Sequence, residues 1–266
     1  MITYPTYLSA PHDFIIAQIS DLHLSKHDEH SFDKFLSVLD LALTHKPNLL
    51  LLTGDLVNDG VGEIYDWLFD VLKNTNIPFL CLAGNHDVTH EIGHDLPFDE
   101  RTFLPIPADE RLIKNHRLLI ELPHTTWQIL AVNSAVNGQI YGQLDDKNLD
   151  FLKTNVAHNL PTLIALHHHP TSVGSAWIDA HILKNHDKFW QVLAHTLHPP
   201  HIICGHVHQA HILPNTHGTL YTCPATSRQF TPHQDKFGID TLASGFRLVR
   251  LHDNGKLDTQ IYRLMS

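Results

Sequence analysis

Asn48-Leu49-Leu50-Leu51-Leu52-Thr53-Gly54-Asp55 is a solid apolar run that ends abruptly in a glycine and a carboxylate. A strand with one face in water alternates apolar and polar residues, so an unbroken run reads as a strand buried on both faces. Upstream, 14–20 is a second strand-like run, and Phe32, Phe35, Leu36, Leu39 and Leu43 recur at helical spacing with Ser31 as expected N-cap. Downstream, 64–73 reads as a helix with Trp67, Leu68, Val71 and Leu72 inward, followed by a strand at 78–83. Strand, helix, strand, helix, strand predicts βαβ units and a largely parallel sheet in an α/β fold.

The rhythm breaks at 89–109, where Asp95, Asp99, Glu100 and Asp109 mix with Pro97, Pro105 and Pro107; this segment reads as a long loop or cap. Strands are then expected near 117–122, 127–133, 162–166 and 201–204, with helices near 143–158 and 184–197 and an irregular segment at 170–180. The tail runs at 219–223, 246–251 and 260–264 read as antiparallel, a surface for pairing with a second copy or simply a sheet edge. Repeats, low-complexity tracts and linkers are missing, which predicts one domain over residues 1–266, its core at about 14–210 and its antiparallel strands at about 219–264.

Composition excludes several classes. A chain of 266 residues that is 42% hydrophobic and 17% charged has the makings of a large core. Its formal charge of −10 disfavours nucleic acid as a partner. Apolar runs fall far short of the roughly 18 residues of a membrane span, and the N-terminus lacks the features of a secretory signal. Cys81, Cys204 and Cys223 sit in or beside apolar runs without CxxC spacing, as reduced thiols of a cytoplasmic protein would.

Metal-binding residue types follow the apolar runs in five places: Asp21-Leu22-His23, Gly54-Asp55, Gly84-Asn85-His86-Asp87, His167-His168-His169-Pro170 and Gly205-His206-Val207-His208. Strand C-termini line the crevice where open α/β sheets bind ligands. The spacing of Asp21 and His23, and of His206 and His208, suggests pairs facing one side of a terminating strand, and Gly54, Gly84 and Gly205 would let the backbone bend tightly beside them. Seven carboxylate, imidazole and amide donors exceed the needs of one tetrahedral ion. They suit two ions about 3.5–4 Å apart that share a carboxylate. Spacing leaves open whether His167 or His168 is the ligand.

These motifs resemble the signature of the calcineurin-like metallophosphoesterases, Asp-x-His, Gly-Asp, Gly-Asn-His-Asp/Glu, His and Gly-His-x-His. Thr222-Cys223-Pro224, Arg228-Gln229-Phe230, Gly238-Ile239-Asp240-Thr241, and the histidine run with Trp177, Asp179 and Leu183-Lys184-Asn185 beyond it, are similar to bacterial class III cyclic AMP phosphodiesterases. The resemblance implies a single-domain sandwich of two mixed β-sheets flanked by helices. It implies one ion on Asp21, His23, Asp55 and His208 and a second on Asp55, Asn85, His167 and His206, with Fe or Mn expected and Zn or Mg as alternatives. His167 is taken over His168 by alignment to relatives reading His-His-Pro-Pro; His168 and His169 would be supporting or wall residues. The implied reaction turns 3′,5′-cyclic AMP into 5′-AMP by attack of a hydroxide bridging the ions. His23, Asp55, Asn85, His86, His167 and His208 would contact the substrate, and His86 would be the general acid. Asp87 would either orient His86 or serve as a turn residue. Trp177, Phe98 and Phe103 would stack on a base or simply pack. A UDP-diacylglucosamine-type pyrophosphatase shares the Ile-Ser-Asp-Leu-His-Leu of 19–24, but usually has Arg where His86 stands; a general phosphodiesterase or phosphomonoesterase of the same fold is a further alternative. A non-catalytic scaffold of the same fold would have lost some of the donors that this chain keeps.

Overall fold

The computed structural model describes residues 2–93, 96, 100–156 and 160–265. In chain order the elements are β1 (Tyr7–Ser9), β2 (Phe14–Ile19), α1 (His30–Thr44), β3 (Leu49–Thr53), α2 (Gly62–Asn74), β4 (Phe79–Leu82), β5 (Thr89–Ile92), β6 (Thr102–Pro105), β7 (Asn115–Glu121) and β8 (Thr126–Val132). There follow α3 (Asp146–Val156), β9 (Thr162–Ala165), α4 (Ala176–Asp179), α5 (His186–Leu193), β10 (His201–Cys204), β11 (Ile212–Asn215), β12 (Gly218–Thr222), β13 (Gly245–Leu251) and β14 (Leu257–Arg263).

The strands form a five-stranded sheet, β14-β13-β2-β3-β4, a seven-stranded sheet, β1-β7-β8-β9-β10-β12-β11, and the hairpin β5-β6. The two large sheets are mixed: β2, β3 and β4 run parallel, as do β8, β9, β10 and β12, while β13 and β14 are antiparallel. They pack face to face with helices outside. Leu49 and Leu51 of β3 enter the core between the sheets beside Trp127, Ile129 and Leu163. Leu50 and Leu52 point the other way, into a core shared with Phe35, Leu39, Leu68 and Leu72 of α1 and α2. The run at 49–52 is therefore apolar at every position because each face of its sheet is covered. A third core, with Leu152, Phe189 and Leu193 of α3 and α5, covers the outside of the seven-stranded sheet.

Several expectations are corrected. Ser31 lies inside α1, where its hydroxyl donates to the carbonyl of Asp28 at 2.6 Å and accepts from the Ser25 amide; the N-cap position is Glu29. The buried stripe of α2 is Ile64, Tyr65, Leu68, Phe69 and Leu72, whereas Trp67 and Val71 are half-buried. Trp67 packs edge-on against Phe32 at 4.8 Å. The segment at 89–109 contains the β5-β6 hairpin, and 170–180 contains the single turn α4. In the tail, β12 pairs parallel with β10. The expected helix end at residue 158 and Phe98 lie outside the described residues. The three cysteines are buried and unpaired. No helix among the described residues is long and apolar enough to cross a membrane.

Candidate metal centre

The C-terminal ends of β2, β3 and β4 in one sheet and of β9 and β10 in the other meet at one rim. The turns that follow them carry every residue of the five sequence motifs. These turns are zipped together: the amides of Asp21 and His23 donate to the carbonyls of Gly54 and Asp55, and the Ser227 amide donates to the carbonyl of Asp21. Asp21, His23, Asp55, His206 and His208 all have φ between 49° and 66°. Left-handed backbone costs a non-glycine residue ~1–2 kcal/mol, and such strain concentrates at functional sites. Asp21 and His23 thus come together through consecutive sharp turns, not through strand alternation. The glycines also differ from expectation. Gly54, at φ 95°, supplies a bend, whereas at Gly84 the requirement is close approach: a Cβ there would collide with the Asp55 carboxylate and the His167 ring. Gly205 likewise leaves room for Asp21.

Donor atoms of Asp21, His23, Asp55 and His208 lie within 4.8 Å of one another. His208 Nε2 is 3.3 Å from Asp21 Oδ1 and 3.2 Å from His23 Nε2. Asp55 Oδ2 stands between this group and the next, 3.6 Å from His23 Nε2 and 3.4 Å from His167 Nε2. Three rings are held from outside through Nδ1: His23 on Asn58 Oδ1 at 2.9 Å, His167 on the Thr53 carbonyl at 2.7 Å and His208 on the Arg228 carbonyl at 2.7 Å. An imidazole that donates from Nδ1 in its neutral form presents the Nε2 lone pair. Around Asp55 the Nε2 atoms of His167 and His206 and Oδ1 of Asn85 are buried without a hydrogen-bond partner. Buried polar atoms without partners are costly. Lone pairs and carboxylate oxygens that converge in this way fit divalent cations.

Electrostatics agree with that fit. Burial, reinforced by His86, pushes His23 down to about 3. His206 is held well below its ordinary value by burial and by neighbouring His168 and His167. His167 behaves differently: burial opposes its charge, but Asp55 and Asp21 outweigh it and raise it to about 9. The two carboxylates thus favour positive charge beside His167. A bound cation would supply that charge.

His167 and His168 are separable here. His168 Nδ1 lies 2.9 Å from Ser134 Oγ and its Nε2 lies 3.0 Å from the Ile140 carbonyl, so both nitrogens are engaged. One His168 ring nitrogen lies within 4.8 Å of a ring nitrogen of His167 and of His206, but both His168 nitrogens already have partners in Ser134 and Ile140. His169 bonds Asp179 through Nε2 at 3.1 Å and stacks on the His206 ring.

The cluster floors a cavity of ≈ 1370 Å³. Its walls include Glu91 and Arg101 of the β5-β6 segment, Trp177 and Ile178 of the 170–180 segment, and Arg228, Phe230 and Phe237 of the tail. His86 faces this space, its ring edge-on to His23 at 4.6 Å, while its amide donates to Asp55 Oδ1.

The profile of the calcineurin-like phosphoesterases matches residues 14–210. The chain belongs to the calcineurin-like phosphoesterase family. It is 47% identical over 256 residues to a probable cyclic nucleotide phosphodiesterase of Moraxella catarrhalis, covering 94% of this chain and 92% of that one. It is 32% identical over 259 residues to the 3′,5′-cyclic adenosine monophosphate phosphodiesterase CpdA of Escherichia coli K12, covering 94% and 89%. A dimetal phosphatase from Danio rerio shares the fold with a TM-score of 0.61 at 12% identity, covering 96% of this chain and all of that one.

Within this calcineurin-like phosphoesterase site Asp87 needs correction. Its carboxylate accepts from the amides of Leu56, Val57 and Gly84 at 2.8–3.1 Å and from the Tyr65 hydroxyl. Asp87 thus clamps the Asp55 turn to the Asn85 turn, as the turn reading expects, and none of its described hydrogen bonds goes to His86. Burial and the nearby Asp55 raise its carboxyl to about 6. Phe103 is not among the described residues that line the cavity. Sequence reasoning missed Asn58, Ser134 and Tyr65, the outer partners of His23, His168 and Asp87. None sits in a metal-ligand pattern, and only the folded geometry shows that a motif residue depends on them.

Proposed function

We propose that this phosphoesterase hydrolyses 3′,5′-cyclic AMP to 5′-AMP. Asp21, His23, Asp55 and His208 would hold one ion and Asp55, Asn85, His167 and His206 the other; imidazole, carboxylate and amide donors suit Mn, Fe or Zn, and the resemblance points to Fe or Mn, with Zn or Mg as alternatives. The observation that carries the metal assignment is the pair of Nε2 atoms of His23 and His208, 3.2 Å apart, each with its Nδ1 committed to an outer acceptor. The substrate assignment is supported by relatives named for cyclic nucleotides that align along 94% of the chain.

When bound, two such cations supply Lewis acidity to the phosphoryl oxygens and acidify water at neutral pH. The chain supplies the rest. Asp55 sits between the two donor groups and fixes the His86 backbone through Oδ1. His86, which lines the cavity, would donate a ring N–H to the departing 3′-oxygen as the bond from phosphorus to that oxygen breaks. The outer bonds to Thr53, Asn58 and Arg228 hold the Nδ1 atoms of His167, His23 and His208 and leave their Nε2 atoms to the ions.

The test is to incubate purified protein with Mn²⁺ and cyclic AMP and to resolve products by chromatography. The reading expects 5′-AMP, loss of turnover on chelation and recovery on adding Mn²⁺ back. A preparation that cleaves a simple phosphodiester but leaves cyclic AMP intact, or that yields 3′-AMP, contradicts the substrate assignment.

A further inference from the structure

Phe237 is 57% exposed yet lines the cavity above the metal centre. Its ring is held edge-on by Trp177 at 5.2 Å and by Phe230 at 5.3 Å. Trp177 and Phe230 are themselves in edge contact at 4.9 Å, so three aromatic rings brace one another on this wall. Phe230 stacks in parallel on the His208 imidazole, with centroids 3.9 Å apart and planes 8° apart. Two ring-to-ring steps therefore connect an Nε2 donor at the centre with an open aromatic face on the wall. Trp177, half-buried and packed on Val173, Ile178 and Val207, serves as backing. Phe237 presents the free surface.

An apolar face braced in place and left open to a cavity loses contact with water only when a ligand covers it. A nucleobase suits such a face, because every base offers a flat π-surface to an aromatic ring. The placement matches a nucleotide, whose phosphate and base lie at opposite ends of one ribose: anionic end over the metal-ligand residues, flat end against the wall. We propose that Phe237 is a specificity-determining residue that stacks on the nucleobase, and that this chain discriminates nucleotides from base-free phosphate esters through it. The inference rests on the nucleotide reading given above and deepens it.

The test compares binding of 5′-AMP and ribose 5-phosphate by calorimetry in Mn²⁺-containing buffer, for wild type, Phe237→Ala, Phe237→Leu and Phe237→Trp. Wild type is expected to prefer 5′-AMP about tenfold, the scale of one base-aromatic stack. Phe237→Ala and Phe237→Leu are expected to lose that preference while binding ribose 5-phosphate as before, and Phe237→Trp to keep it. If the alanine variant fails to fold, the leucine and tryptophan variants decide. A preference that survives in Phe237→Leu overturns the proposal, as does equal weakening of both ligands or the lack of any preference in wild type. Ile239 and Leu242 nearby are also exposed, at 54% and 48%. A Phe237 variant that changes only the oligomeric state would make the ring a contact between copies and overturn the base site. Loss of preference in the variants without cyclic AMP turnover in wild type would remove the cyclic AMP assignment and leave the base site standing. Turnover of cyclic AMP with preference intact in the variants would do the reverse.

Discussion

His86 differs from His23, His167, His168 and His208 in what its ring touches, and this bears on the role proposed for it. His23, His167 and His208 each bond an outer acceptor through Nδ1, and His168 is engaged at both nitrogens. The His86 amide donates to Asp55 Oδ1, its ring meets His23 edge-on, and that ring opens on the cavity. A group in that position can exchange protons with a substrate without disturbing the donors beneath it. Replacement of His86 by alanine is expected to lower kcat by about 10²–10⁴, the usual contribution of a general acid, with metal content unchanged. A kcat within twofold of wild type would remove His86 from the reaction. The identity of these residues was legible because the chemistry demands particular donor types and the apolar runs before them mark strand ends. Their geometry was not. Positive φ at Asp21, Asp55 and His208 goes with backbone N–H to carbonyl hydrogen bonds between turns that are remote in sequence, and no local pattern encodes it.

At the level of elements, the segment at 170–180 shows how a wall is fixed beside a reactive floor. Asp179 gathers the amides of Val173, Gly174 and Ser175, the Ser172 hydroxyl and His169 Nε2 around one carboxylate. Burial opposes its charge, but these donors, His169 first, hold its carboxyl well below the usual range. For an acid whose folded pKa is depressed, the stabilisation is complete above the ordinary carboxylate pKa and is lost as pH falls through the folded value. Asp179→Asn is therefore expected to cost about 2 kcal/mol near pH 7, in line with hydrogen bonds to a charged group. In denaturant titrations the gap between wild type and variant should narrow steadily below pH 4. A gap that stayed constant into acid would mean the carboxylate is not what the variant removes. Elements buried on both faces, such as β3, could be read directly, because water leaves no polar position in them. The β5-β6 hairpin could not: β6 is mostly exposed and ends in Pro105, so neither alternation nor composition marks it. The start of α1 was misplaced for a related reason, since Ser31 spends its hydroxyl on the turn before the helix and not on the helix amides.

At the scale of the whole molecule, the centre exists because two sheets present their strand ends to one another. Asp21, Asp55 and Asn85 follow strands of one sheet, and His167 and His206 follow strands of the other. The five motifs are visible one by one in the sequence, but which of them belongs to which of the two packed sheets is a tertiary fact. Closing the sandwich brings carboxylates and unprotonated imidazoles to one place inside a protein of net charge −10. The carboxylates favour positive charge at its centre, which is why they raise His167, and bound cations would supply that charge. The account therefore stands on metal stoichiometry. Purified protein loaded with Mn²⁺, freed of excess ion and analysed by mass spectrometry of the metal, is expected to hold two ions per chain. Asp55→Ala, which removes the carboxylate between the donor groups, is expected to hold fewer than one while remaining folded by circular dichroism. One ion per chain in the wild type, or two in a folded Asp55→Ala, would contradict it.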